Sequence, residues 1–231
     1  MAHLSRQEAP KGWRIRRKET KWIARPMPGP HPLNKSITVN YLLKELLHYA
    51  NTTREVKVIL NNKDIIINKV VRKNHKFPVG IFDVIELPKT KEYFRLFQDE
   101  SLRFILHKIS KEEAEIKPSK IINKTKLKKG KLQINLSDSR NILVDNDKFK
   151  VGDTLILNLN TNSIKSHLKL EKNAKIYLME GKYTGKSATI ENVIETKNLN
   201  PAKIICKSDN KKFETLKKYV FVIGDEIAAP K

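Results

Sequence analysis

The apolar positions Val39, Leu42, Leu43, Leu46, Leu47 and Ala50 advance by 3, 1, 3, 1 and 3 residues, which traces one stripe of an amphipathic helix. Asn51 and Thr52 break the stripe. Thr52 followed by Glu55 has the form of a capping box, each side chain satisfying a backbone N–H left open where a second helix begins. Val56, Ile59 and Leu60 give that helix its buried face, while Arg54 and Lys57 lie on another side of its first turn. Free N–H groups and the macrodipole favour an anion there, so both are candidate phosphate contacts. Residues 65–67 are then β-branched, Val70 and Val71 follow, a basic turn holds Arg72, Lys73 and Lys76, and residues 81–87 predict another strand.

Past residue 90 the pattern turns to β. Residues 93–97 and 102–109 flank the polar turn 98–100 as a hairpin. Ser110 and Glu113 predict the cap of one short helix ending at Ile116. Leu132, Ile134 and Leu136 alternate, as do Leu155, Leu157 and Leu159, and 161–163 turns the chain into 164–170. Short strands at this spacing predict a barrel or sandwich. Between residues 117 and 131 there are seven lysines and no acid. Lys126, Lys128, Lys129 and Lys131 are candidate RNA contacts at the tip of this hairpin; the other reading is a charged edge that prevents sheet-to-sheet aggregation.

Composition narrows the partner. Among 231 residues, 47 Lys and Arg face 25 acids, a net charge of +22 that opposes compaction unless a polyanion neutralises it. No apolar run approaches the roughly 20 residues of a membrane-spanning helix, and the cations are not gathered on one amphipathic helix. Arg6, Glu8 and Pro10 stand where a secretory signal would be apolar, so a cytoplasmic protein is expected. Cys206 is alone, which leaves no intrachain disulfide and no thiolate zinc cluster, and Ile204 and Ile205 beside it predict a buried strand position.

Residues 1–35 hold nine Lys or Arg, two Glu and five of the ten prolines. Lys11, Arg14, Arg16, Arg17, Lys18, Lys21 and Arg25 are interleaved with Trp13 and Trp22. Ordering such a segment costs about 1–2 kcal/mol per residue in backbone entropy, with few apolar groups to offset it. The expectation is an extended arm, mobile when free, whose cations meet phosphates and whose indoles stack on bases.

The run Gly181-Lys182-Tyr183-Thr184-Gly185-Lys186-Ser187 has the look of a phosphate-binding loop. Its glycines are separated by three residues instead of four, and the β-branched run 188–193 predicts a strand where that loop needs a helix. The six histidines are scattered, with none at metal-ligand spacing. Asp99 with Glu100 and Glu112 with Glu113 read as solvated carboxylates. The pattern predicts no enzyme, metal or cofactor.

Three resemblances refine this. Residues 36–87, with Arg54-Glu55-Val56-Lys57, the Ile59-Leu60 pair, Asn68, and Gly80 before Asp83-Val84-Ile85, resemble the RNA-binding module of bacterial small-subunit ribosomal protein S-four. Lys63 and Lys69 stand where that module commonly has glycine. The 181–193 segment resembles a KOW motif, a strand–loop–strand piece of an SH3-like barrel, whose RNA-facing loop residues would be Lys182, Tyr183 and Lys186; Ala188 replaces its second glycine. Nearly the whole chain, from His3-Leu4 and Ala9-Pro10-Lys11 through Gly29-Pro30-His31 and Gly80–Ile85 to Tyr219–Gly224, is similar to the archaeal and eukaryotic small-subunit ribosomal protein family S-four-e. That resemblance implies a structural rRNA-binding role beside neighbouring ribosomal proteins, without catalysis, cofactor or small-molecule substrate. A KOW-type elongation factor is the alternative, and an RNA-modifying pseudouridine synthase a more distant one. The expected organisation is α+β: a basic extended arm at 1–35, an αα-β RNA-binding module at 36–90, a central β domain at 91–171 and an SH3-like (KOW) barrel at 172–231.

Overall fold

β1 (Leu4–Ser5) pairs antiparallel with β2 (Trp22–Ile23), closing the N-terminal segment on itself. The computed structural model describes residues 3–145, 147–194, 201–208 and 211–224, and of Lys129 only the backbone. Within the closed segment Leu4, Arg6, Ala9 and Trp13 are buried. The arm is therefore folded, which corrects the expectation of an extended chain. Two residues supply the compensation that composition did not reveal. Trp13, 2 % exposed, donates its indole N–H to the Ser36 carbonyl at 3.0 Å and packs 5.2 Å from the Tyr41 ring. Arg17 donates to the carbonyls of Gln7 (2.9 Å), Ala9 (3.0 Å), Arg6 (3.2 Å) and Pro10 (3.4 Å), binding the loop together from within. Prolines 26, 28, 30 and 32 keep residues 24–32 free of regular structure.

The chain forms two compact units, residues 1–117 and 118–231. The body of the first opens with β3 (Ser36–Thr38), α1 (Val39–Tyr41), a π-helical turn (Leu42–Leu46) and α2 (Thr53–Asn61). The predicted stripe at 39–50 thus makes a shorter helix, because the backbone widens to Leu47 N–H bonding Leu42 O (2.9 Å) and His48 then turns out at φ 54°. Six strands follow: β4 (Ile66–Ile67), β5 (Val70–Val71), β6 (Pro78–Gly80), β7 (Val84–Leu87), β8 (Glu92–Gln98) and β9 (Phe104–Lys108). β3 pairs with β6, and β5-β4-β7-β8-β9 make one antiparallel sheet. Val39, Leu42, Leu43, Val56 and Leu60 from the helical segments are buried, as are Ile67, Ile85, Leu96 and Phe97 from the sheet. Leu87 faces Glu92 across the β7–β8 turn, and the first compact unit runs on to Lys117.

Lys63 and Lys69 both adopt the left-handed conformation, at φ 61° and 63°, which glycine takes without strain. Asp83 closes this unit. Its carboxylate is fully buried and accepts from Lys117 Nζ (2.6 Å), Asn68 Nδ2 (2.8 Å) and Gly80 N–H (2.8 Å), with His31 Nε2 at 3.0 Å. Burial alone would raise its pKa, but the Lys117 ammonium, with His31, outweighs burial and holds it well below the usual carboxylate range.

The helix expected after Ser110 is a single 3₁₀ turn, Glu113–Glu115, with Glu113 N–H donating to Ser110 Oγ at 3.2 Å. From there the chain is β. β10 (Ile116–Lys126), β11 (Leu132–Leu136), β12 (Asn141–Val144), β13 (Thr154–Asn158) and β14 (Ile164–Leu168) form a sheet of order β12-β11-β10-β13-β14 over Ile121, Ile134, Leu136, Leu155 and Leu157. A second sheet, of order β18-β17-β16-β15-β19, is built from β15 (Lys175–Leu178), β16 (Ser187–Ile194), β17 (Lys203–Ser208), β18 (Lys211–Leu216) and β19 (Val220–Val222). Its core holds Ile176, Leu178, Ile190, Ile204 and Cys206, whose thiol burial pushes up to about 11. Lys120 Nζ donates to the carbonyls of Lys217 (3.0 Å), Lys218 (3.0 Å) and Val220 (2.6 Å), so this cation of the lysine-rich run serves the fold. Among the described residues, no helix is long and apolar enough to cross a membrane.

Candidate nucleic-acid interface

The capping box forms at the start of α2. Thr52 Oγ1 accepts the Glu55 N–H at 3.3 Å, and Glu55 Oε2 accepts the Asn51 N–H at 2.8 Å. The hydrogen bond from Asn51, then that from Thr52, lowers the Glu55 pKa. Arg54 and Lys57 both stay exposed on this first turn.

Folding of the arm sorts its cations into two kinds. Arg6 and Arg17 turn inward: Arg6 Nη1 donates to the Arg16 carbonyl (2.7 Å) and to Glu19 (3.0 Å), and Arg17 binds four carbonyls. Trp13 is likewise interior, which removes it as an exposed face for base stacking, while Arg17 is a clasp for the arm. Lys11, Arg14 and Arg16 point outward and line a groove of about 720 Å³ with Lys44, His48 and Arg103. Two carboxylates, Glu19 and Glu45, also border it. Arg103 and Lys44 come from the β8–β9 turn and the helical turn, so no local pattern marked them as partners of the arm. Lys18 is exposed, and Arg25 is half-buried.

Lys21 and Trp22 border a separate cleft with Thr53 and His75. Trp22 is 52 % exposed, with Lys21 Nζ 5.1 Å from its ring centroid. Arg72 and Lys73 meet Lys63 around a third depression, where the Arg72 guanidinium lies 4.2 Å over Phe77. Lys76 is exposed in the same turn.

In the second unit Lys126, Lys128 and Lys131 are exposed around the hairpin tip, and the Lys129 side chain lies outside the described residues. Lys124 Nζ instead pairs with Asp147 and donates to the Phe149 carbonyl at 2.6 Å. Gly181 (φ 93°) and Gly185 (φ 83°) make the 181–186 segment a tight turn between β15 and β16, with Gly185 N–H donating to Leu178 O at 2.8 Å. A strand follows that turn, so the phosphate-loop geometry is absent, as the spacing predicts. Lys182 is exposed and Lys186 half-buried. The Tyr183 ring stacks on Phe213 at 4.1 Å, which commits one of its faces to packing.

Among the described residues there is no cluster of three or more His, Cys, Asp or Glu able to hold a metal ion. A relative in Methanosphaera stadtmanae named small ribosomal subunit protein eS4 is 38 % identical over 224 residues, covering 97 % of this chain and 92 % of its own. This chain belongs to the ribosomal S4e family. The family model for Ribosomal family S4e matches residues 90–164, and that for the RS4NT domain matches residues 2–34. A second eS4 relative, from Caldivirga maquilingensis, is 35 % identical and spans 98 % of this chain and 97 % of its own. The crystal structure of the 30S ribosomal protein S4e from Thermoplasma acidophilum superposes with a TM-score of 0.71 at 26 % identity, covering 82 % of this chain and 95 % of that one.

Proposed function

We propose that this S4e chain is a structural rRNA-binding component of the small ribosomal subunit, resident in the cytoplasm, acting in subunit assembly and translation beside neighbouring ribosomal proteins. The observation that carries the reading is full-length similarity to relatives named as small-subunit proteins, joined to a net charge of +22 with exposed cations on both units. In this reading residues 1–35 are an arm that RNA meets already docked. Residues 36–90 act as an S-four-like αα-β module in which Arg54 and Lys57 seat phosphate at the α2 N-terminus. Residues 91–171 and 172–231 supply two β surfaces, the lysine hairpin and a KOW-like loop in which Lys182 and Lys186 contact RNA. Catalysis, cofactor and small-molecule substrate have no part in it.

The test is fractionation of cell extract. The protein is expected to co-sediment with small subunits at moderate salt, and crosslinks in purified subunits are expected at Arg54, Lys57 and the arm groove. Recovery of the bulk of the protein with RNA polymerase would favour the elongation-factor reading of the strand–loop–strand segment at 175–194.

A further inference from the structure

The cleft beside Trp22 has a composition unlike the other basic grooves. It measures about 490 Å³ and is bordered by the arm, by α1 and by Thr53, the first residue of the nine-residue α2. Its wall includes Asn40, a residue 7 % exposed whose Oδ1 is buried with no hydrogen-bond partner among the described residues. A buried amide oxygen left unpaired has lost its hydration without gaining a partner. The Asn40 backbone is held in place, its N–H donating to the His75 carbonyl at 2.9 Å. His75 also borders the cleft, and burial first, then Lys57 and Lys76, lowers its pKa. Trp22 offers an aromatic surface at the rim, and Lys21 and Lys44 supply cations beside it. The nearby carboxylate, Glu45, has Arg6 at 3.6 Å to offset its charge.

A stacking surface, an unpaired carboxamide, two ammonium groups and a helix N-terminus together match the parts of one nucleotide. We propose that this cleft seats a single unpaired nucleotide of the bound RNA, with its base on Trp22, an adenine edge on the Asn40 carboxamide and its phosphate near Lys21, Lys44 and the α2 N-terminus. A carboxamide accepts from the exocyclic amine of adenine and donates to the adjacent ring nitrogen, the pairing that Asn makes with this base. Base stacking on an exposed aromatic ring accounts for attraction to any base. Asn40 then confers the choice among them. The assignment rests on the RNA-binding reading above and adds base selection to it.

The test uses the full chain and labelled oligonucleotides of one length: oligoadenylate, oligouridylate and an abasic strand. Oligoadenylate is expected to quench Trp22 emission and to bind about tenfold tighter than oligouridylate, while the abasic strand binds without quenching. Asn40→Ala is expected to bring adenylate affinity down to the uridylate value with the salt slope unchanged. Trp22→Ala is expected to reduce both base-bearing strands toward the abasic value. Equal binding of all three strands by the wild type, or an adenylate preference that survives both variants, overturns the cleft assignment. Binding of small-subunit rRNA with its normal salt slope alongside that result leaves the RNA-binding reading standing; failure to bind any RNA removes both. Displacement of the adenylate strand by equimolar adenosine monophosphate would make the occupant a free nucleotide and overturn the assignment to RNA.

Discussion

Each unit buries an aspartate against a histidine, and the two pairs do different work. Asp83 in the first unit accepts from Lys117 and Asn68 on one oxygen and from Gly80 N–H on the other, with His31 at 3.0 Å. Its partners span residues 31 to 117, nearly the length of that unit. Asp153 in the second unit has His167 at 2.7 Å and accepts from the Lys150 and Leu170 N–H groups at 3.0 Å each. Those partners span residues 150 to 170, one hairpin and its flanks. A buried carboxylate bonded across distant segments couples them into one cooperative structure, whereas one bonded locally shapes a turn.

The comparison breaks most visibly at Asp83. Asp83→Ala strands the Lys117 ammonium, 2 % exposed, without its counter-ion, and about 3–5 kcal/mol of stability is expected to be lost. Denaturant unfolding is expected to show it, with hydrogen exchange accelerated across residues 36–108 and unchanged across 175–222. The same group sets an acid limit. Because the folded pKa of Asp83 lies below its ordinary 3.8, its contribution is complete above that value and disappears as pH falls toward the folded one. The first unit is thus expected to loosen below about pH 4, as read by hydrogen exchange at stepped pH.

Trp13→Ala ranks next, at about 3 kcal/mol, since it removes the apolar anchor of the arm while His31 still reaches Asp83. Limited proteolysis is expected to open residues 1–35 in this variant and to leave them intact in the wild type. Cleavage of the wild-type arm at the same rate would return it to the mobile state that its composition predicts. Asp153→Ala is expected to cost about 1–2 kcal/mol, with exchange rising only around 150–170; an effect as large as that of Asp83→Ala would erase the distinction between the two aspartates. Lys63→Gly is expected to stabilise the chain by up to about 1 kcal/mol, because Lys63 is exposed at φ 61°. The thermal midpoint checks this.

Much of the fold was legible from spacing. The alternation at 132–136, the Thr52–Glu55 box and the hairpin around 98–100 depend on neighbours close in sequence, and each forms as its pattern predicts, while the run from Leu155 makes a strand, Thr154–Asn158, buried on both faces. What escaped depends on distant partners. Lys117, Lys120 and Arg17 carry the same charge as Lys126 or Arg16, and only the tertiary structure turns the first three toward a carboxylate or carbonyls. A count of cations overstates those free to meet phosphate. For the same reason the arm reads as too polar to order, since Arg17 satisfies the carbonyls of its own loop beside the buried Leu4, Ala9 and Trp13. The grooves joining Arg103 and Lys44 to Arg14 and Arg16 arise from that docking.

The clasp of Arg17 on the arm also bears on how recognition should register in a calorimeter. A tail that folds as it binds buries its own apolar surface in the same event, producing a strongly negative heat-capacity change. Here the indole of Trp13 and the side chains of Leu4 and Ala9 leave water before any RNA arrives. Association should then carry only the heat capacity of the contact itself, and its entropy at moderate salt should be governed by released counterions.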